Sequence, residues 1–285
     1  MIRTLPQSKS YSIGFKIYII LFFVFLFAPL LITCVLAFND SIFPALPWKG
    51  FSLDWFFSDG PERVGIFNDQ INLASIWVSF RTAFFVALLS TFVGTCGAFL
   101  FEQETFRFKQ LLYFLMLAPL VIPGVILGIS ILLFSNTLGL FFESRFGIDI
   151  SLLRPGFWLV VLGQFSFIAT LVTLIVSAQL KKFDYTLEEA ALNLGANRFE
   201  VIIHITLRFL KPALLGAMAV AFLMSFENFN TTLFLVGSEA TLPINLYLQV
   251  RDGSTPVINA ISFLLIVGTS SLALFNLFIQ RDRSE

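Results

Sequence analysis

Charge is what this 285-residue chain has least of: Asp, Glu, Lys and Arg make up only 13% of it. A soluble domain carries nearer a quarter. So little charge cannot cover the core of a soluble chain this long. Net charge is zero, so there is no basic footprint for nucleic acid, and no nucleic-acid partner is expected. Cysteine is limited to Cys34 and Cys96, both in apolar runs. They read as small buried hydrophobes, not as a disulfide framework. Histidine is limited to His204. That excludes His-Glu-x-x-His zinc chemistry and a Ser-His dyad inside a membrane, and no metal site is expected. No Gly-x-x-x-x-Gly-Lys-Ser/Thr occurs, so the chain has no P-loop to cradle ATP phosphates. No intramembrane pair of aspartates exists for a protease. No catalytic residue and no cofactor bound by this chain are expected, because no acid, base or nucleophile pairing can be assembled.

What the chain does have is apolar length. Hydrophobic residues make up 57%, with 37 Phe, and mean hydropathy is +0.88. This is the opposite of a disordered composition. A bilayer span needs about 20 predominantly apolar residues. Six such stretches are predicted, near 17–38, 73–101, 111–134, 157–180, 212–236 and 257–279. The fold class expected is an all-α membrane protein with six transmembrane helices. The first stretch is too long for a signal-peptide core, and no small-residue cleavage site follows it.

Lys and Arg set the orientation. With the N-terminus inside, the inner segments hold Arg3, Lys9, Lys16, Arg107, Lys109, Lys181, Lys182, Arg198, Arg208, Lys211, Arg281 and Arg283. The outer loops hold only Lys49, Arg63, Arg145, Arg154 and Arg251. Both termini are predicted cytoplasmic, with segments 1–16 and 281–285 flanking a membrane domain over 17–280. Arg81, near the outer end of the second stretch, can snorkel to the headgroups. The first outer loop, 39–72, carries interface-seeking Trp48 and Trp55.

The inner loop 181–211 is the most charged part of the chain. Leu187, Ala190, Ala191 and Leu194 fall at i, i+3, i+4, i+7, one face of a short helix. Glu188 and Glu189 sit in its first turn, where the helix dipole favours negative charge. Gly195 is placed to end it. Asn197 and Glu200 then form a capping-box pattern for a following helix. The predicted product is a helix–Gly–helix elbow.

Those residues carry a resemblance. Glu189-Ala190-Ala191, Gly195, Ile205 and Leu207 match the EAA loop of binding-protein-dependent ABC importer permeases. The family pattern is Glu-Ala-Ala-x3-Gly-x9-Ile-x-Leu-Pro, and Arg208 stands here in place of its last proline. The likeness continues through Leu117–Gly124, Lys182-Phe183-Asp184, Ser225–Asn228 and Thr241-Leu242-Pro243. It is greatest to the PotC-like permeases of spermidine/putrescine importers. The resemblance implies a type I importer (MetI-like) permease fold in a bacterial inner membrane. It implies a sister permease, a periplasmic substrate-binding protein and two cytoplasmic ATPase subunits, which use ATP and Mg. It also implies that Glu188, Glu189, Ala190, Ala191 and Gly195 couple the chain to the ATPase.

Polar groups in a span are costly, so each is a functional candidate. Glu227, Asn228 and Asn230 in the fifth stretch are expected to line the translocation path. Gln164 is expected to pack across helices. Pro119 and Pro123 should kink or break the third stretch, and Gly124 and Gly128 allow close helix contact. PotC-like permeases can carry an acidic residue where this chain has Leu120. Another small solute of the same branch, such as an opine, an amino-acid derivative or an aminophosphonate, therefore stays open as substrate. An ion-coupled transporter using Glu227 and a structural membrane protein are the rival classes.

Overall fold

The computed structural model describes residues 9–61, 63–253 and 255–281. The elements, in order, are α1 (Lys9–Leu36), α2 (Asp54–Phe57), α3 (Gln70–Gln103), α4 (Lys109–Val121), α5 (Gly124–Phe146), α6 (Phe157–Leu180), α7 (Thr186–Asn193), α8 (Arg198–Val201), α9 (Leu207–Phe226), α10 (Thr232–Leu235), α11 (Leu242–Gly253) and α12 (Val257–Arg281). Among the described residues the only strand-like pairings are two isolated bridges, Asn39–Phe51 and Asp59–Val64. Helices alone satisfy their own backbone inside a bilayer, which is why an apolar chain takes this form. Among the described residues five helices are long and apolar enough to cross a membrane: Tyr11–Leu36, Gln70–Gln103, Gly124–Phe146, Phe157–Leu180 and Arg198–Phe226. Lys109–Val121 and Val257–Ser271 are apolar but shorter. Arg3, Arg283 and most of segments 1–16 and 281–285 that bear on the expected tails lie outside the described residues.

Two predicted stretches are not continuous helices. The region 111–134 divides at Ile122, whose φ −74° and ψ 128° are extended. Pro123 forces this, since its ring excludes the helical region for the residue before it and it has no N–H to donate. Pro119 sits inside α4 without ending it. The helix long enough for a crossing here is α5, which runs on to Phe146. The region 212–236 likewise ends as helix at Phe226, and four helical residues resume only at Thr232. The apolar run persists through this break, so hydropathy alone does not reveal it.

The chain divides into two compact units, residues 1–73 with 248–285, and residues 74–247. In the first, α1 leads into an ordered loop. Asn39 Oδ1 accepts the Lys49 N–H at 2.8 Å, and the Asn39 carbonyl accepts the Trp55 indole N–H at 3.0 Å. Arg63 bridges Asp40 and Asp54 beneath the same loop. Phe38 and Phe56 pack their rings against Phe263 of α12, at 4.9 and 5.9 Å between centroids.

In the second unit α6 is the central post. Its Val161, Ile168, Val172, Val176 and Leu180 are buried with Leu210, Ala217 and Ala221 of α9. Lipid tails are as apolar as these side chains, so shape fit and polar bonds hold the helices, not hydrophobic transfer. α3 approaches α6 closely at Gly94, where a Cβ would lie 2.7 Å from Val172 Cγ1. Both cysteines are free, Cys34 partly buried and Cys96 exposed. The expectation that they are buried is corrected here, since an apolar thiol on a lipid-facing helix needs no cover.

Candidate translocation path and coupling surface

Two helix breaks meet in the second unit. The break at Ile122–Pro123 lies against the break at Glu227–Thr231. Two glycines allow this: a Cβ on Gly124 would be 3.0 Å from Asn230 Cβ, and one on Gly128 would be 2.7 Å from the Thr231 carbonyl oxygen. Between them is a cavity of about 270 Å³ lined by Pro119, Leu120, Ile122, Gly124, Leu127, Phe167, Leu171, Met224, Asn228, Asn230 and Thr231. Paired interruptions of membrane helices are where transporters place polar backbone and side chains beside a solute.

The predicted polar residues separate here. Asn228 and Asn230 line the cavity, Asn230 exposed and Asn228 partly buried. Glu227 caps the C-terminus of α9 and is exposed, outside the cavity lining. Its backbone N–H donates to the Leu223 carbonyl at 3.1 Å, and its carboxylate makes no hydrogen bond or ion pair among the described residues. Because the helix has ended, these residues do not fan around one axis as a continuous helix would have them.

Asn228 has a second role. Its Oδ1 accepts from the Thr232 N–H at 3.3 Å and from the Thr232 hydroxyl at 2.9 Å. Thr232 Oγ1 in turn accepts from Gln164 Nε2 at 2.7 Å, and Gln164 Oε1 accepts from the Ser225 hydroxyl. Gln164 is fully buried in α6. One amide therefore satisfies both sides of the second break and holds it open. A lone Gln amid Phe and Val was the only sequence signal of this; Ser225 and Thr232 gave none.

The elbow over 181–211 is built from its caps inward. Asp184 Oδ1 accepts from the Thr186 N–H at 3.0 Å and its hydroxyl at 2.8 Å, which starts α7. These bonds hold the Asp184 carboxyl below its ordinary value of 3.8. Phe183 is buried against Phe209, 5.2 Å between centroids. At the other end Gly195 takes φ +94°. The Ala196 N–H reaches the Ala191 carbonyl at 3.1 Å and the Gly195 N–H reaches Leu192 at 3.0 Å. This pair of bonds is a Schellman motif. Asn197 and Glu200 then exchange side-chain-to-backbone bonds of 2.9 Å each, a complete capping box for α8. A five-residue π-turn, Ile202–Thr206, joins α8 to α9.

α7 buries no residue. Leu187, Ala190 and Leu194 are exposed, Leu194 to 89%, and Ala191 is partly buried. Glu189 points to solvent, but Glu188 turns inward and accepts the hydroxyl of buried Thr206. The two neighbouring glutamates thus face different ways. On the opposite end of the unit, Arg81 is paired with Glu239 at 2.6 Å and stacks over Phe157 at 4.3 Å.

A family model for the binding-protein-dependent transport system inner membrane component matches residues 93–284. The chain belongs to that family. It is 28% identical over 263 residues to the spermidine/putrescine transport system permease protein PotC of Haemophilus influenzae, covering 92% of this chain and 94% of that one. It is 30% identical over 250 residues to the putrescine transport system permease protein PotI of Escherichia coli, covering 87% and 84%. A solved structure of a bacterial ABC transporter involved in the import of the acidic polysaccharide alginate superposes with a TM-score of 0.68 at 13% identity, over 98% of this chain and 99% of that one. That likeness fixes the fold. The chain is a multi-pass inner-membrane permease subunit of an ABC importer.

Proposed function

We propose that this permease subunit carries a polyamine, spermidine or putrescine, inward. It would do so with a sister permease, a periplasmic binding protein and two cytoplasmic ATPase subunits that consume ATP with Mg. The observation that carries the substrate reading is Glu227, an exposed, unpartnered carboxylate at the break after α9. A carboxylate near the bilayer centre costs roughly 2.5–3.5 kcal/mol on insertion scales, so its face belongs to water or a second subunit, not to lipid. The adjoining cavity lining contains no Lys or Arg. A cationic solute passing the break therefore meets one negative charge and two amides with nothing to repel it. The likeness to PotC and PotI supports the same solute class.

The drive enters through α7 on the cytoplasmic side. Ala190 and Ala191 let an ATPase groove approach the backbone, and exposed Leu187 and Leu194 supply apolar contact. Glu189 is free to meet basic or amide groups there. Gly195 fixes the bend.

The test is uptake of labelled putrescine and spermidine by the reconstituted importer. Glu227→Gln is expected to raise KM for both about tenfold or more, since a charge-assisted contact is worth about 1.5–3 kcal/mol. Uptake unaltered by that change, or competed by an opine or aminophosphonate and not by polyamines, overturns the substrate reading. That second outcome is kept open by Leu120, which adds no carboxylate to the cavity lining. Uptake by this chain alone, driven by a proton gradient, would overturn the ATP-driven reading.

A further inference from the structure

α7 buries no side chain of its own; just before it, Phe183 packs on Phe209 of α9 and the Tyr185 side chain is hydrogen-bonded to Gln103 at the end of α3. Within the helix itself, Glu188 accepts the Thr206 hydroxyl. Thr206 is fully buried and is the last residue of the π-turn.

Several helical threonines bond within their own helix, whereas Thr170 reaches across to the Met116 carbonyl and Thr206 across to α7. The hydroxyls of Thr95, Thr137, Thr173 and Thr269 each donate to the carbonyl four residues earlier, at 2.6–2.8 Å. That is the default for Thr in a helix. Thr206 departs from it. The carbonyl it would use, that of Ile202, accepts the Leu207 N–H across the π-turn. The backbone at Thr206 is therefore out of regular α register, and its hydroxyl faces α7, where Glu188 accepts it. Single π-turns inside helices recur at functional positions, because they re-aim side chains at the cost of regular bonding.

We infer that the Thr206–Glu188 bond is the joint that carries displacement of α7 into α9, with Thr206 a positioning residue for coupled transport. This rests on α7 being the ATPase-coupling helix. Glu188 then acts within the chain and Glu189 alone faces the partner. A bond to a charged acceptor is short and directional, which an apolar contact between sliding helices is not.

The experiment uses the complete importer in proteoliposomes, reading ATP hydrolysed and labelled putrescine translocated in one sample. Thr206→Val keeps the branched shape and removes the hydroxyl. It is expected to lower putrescine moved per ATP by about fivefold or more, the lower end of ordinary coupling between sites. Thr206→Ser restores the wild-type ratio. Glu188→Ala reproduces the loss from a less buried position, and so serves if the valine variant does not assemble. The double variant is no worse than either single one, as for two ends of one bond. Wild-type ratios in Thr206→Val and Glu188→Ala would overturn the inference, and so would a serine variant as impaired as the valine one. A wild-type preparation with no ATP-hydrolysing partner would instead remove the coupling reading beneath it.

Discussion

Substitution of Gly195 tests whether the elbow is held by backbone geometry. A Cβ at this position would meet nothing within 4 Å, so size is not the obstacle. The φ of +94° is. An L-residue forced into left-handed backbone loses about 1–2 kcal/mol relative to its preferred state. α7 has no buried side chain to offset that loss. The two bonds that close the helix, from Gly195 and Ala196, are the ones that open. One to two kcal/mol is a factor of about 5–30 in an equilibrium. Gly195→Ala should therefore speed amide exchange at positions 195 and 196 by about that factor, measured by hydrogen exchange on the importer in nanodiscs. Asn tolerates left-handed backbone better than Ala, so Gly195→Asn should fall between Gly and Ala. Transport should follow the order Gly, Asn, Ala, Val. Exchange in the alanine variant equal to wild type, or asparagine as open as alanine, would refute the claim that φ sets the bend.

Two further outcomes are expected. Gly128→Ala drives a Cβ to 2.7 Å from the Thr231 backbone oxygen, whereas Gly139→Ala meets only Leu153 Cβ at 3.8 Å. The first should destabilise by about 1–3 kcal/mol, as overpacking does, and lower both the melting temperature and uptake; the second should change neither, and equal melting of the pair would count against the packed breaks. Acid should loosen the start of α7. Thr186 depresses the Asp184 pKa below 3.8, so this stabilisation is complete above the unfolded value and fades as pH falls through the lower folded one. The protection of the Thr186 amide, its exchange rate relative to the intrinsic rate at the same pH, should fall as pH drops below the ordinary carboxylate value, and Asp184→Asn should flatten that profile.

The elbow was legible because its determinants are local. Gly195, Asn197 and Glu200 act on backbone groups within a few residues of themselves, and sequence spacing alone places their bonds. Pro123 was legible for the same reason. The second break was not. Nothing near Glu227 in sequence distinguishes an interrupted helix from a polar patch on a continuous one, because the decisive partner, Gln164, lies more than 60 residues away in α6. Thr206 was hidden similarly. Its role depends on a π-turn, and a one-residue shift in bonding leaves no periodic trace over so short a run. The inward direction of Glu188 goes with that turn, and nothing in the spacing of a first helical turn distinguishes it from Glu189.

The two sites occupy opposite ends of one helix. α9 has 20 residues, which at 1.5 Å per residue is about 30 Å. Its start is tied to α7 through Thr206, and its end is tied to α6 through Ser225 and Gln164. A rigid rod of that length, turned by about 10° at one end, moves the other by roughly 5 Å, comparable to one helical turn. No chain of side chains is needed to carry a signal between them. What is needed is that neither fastening slips. In a bilayer the apolar flank of α9 is held on α6 by shape fit rather than by hydrophobic transfer. On the proposed coupling, the polar bonds at its two ends add direction to that packing, so that movement of α7 is passed to the break.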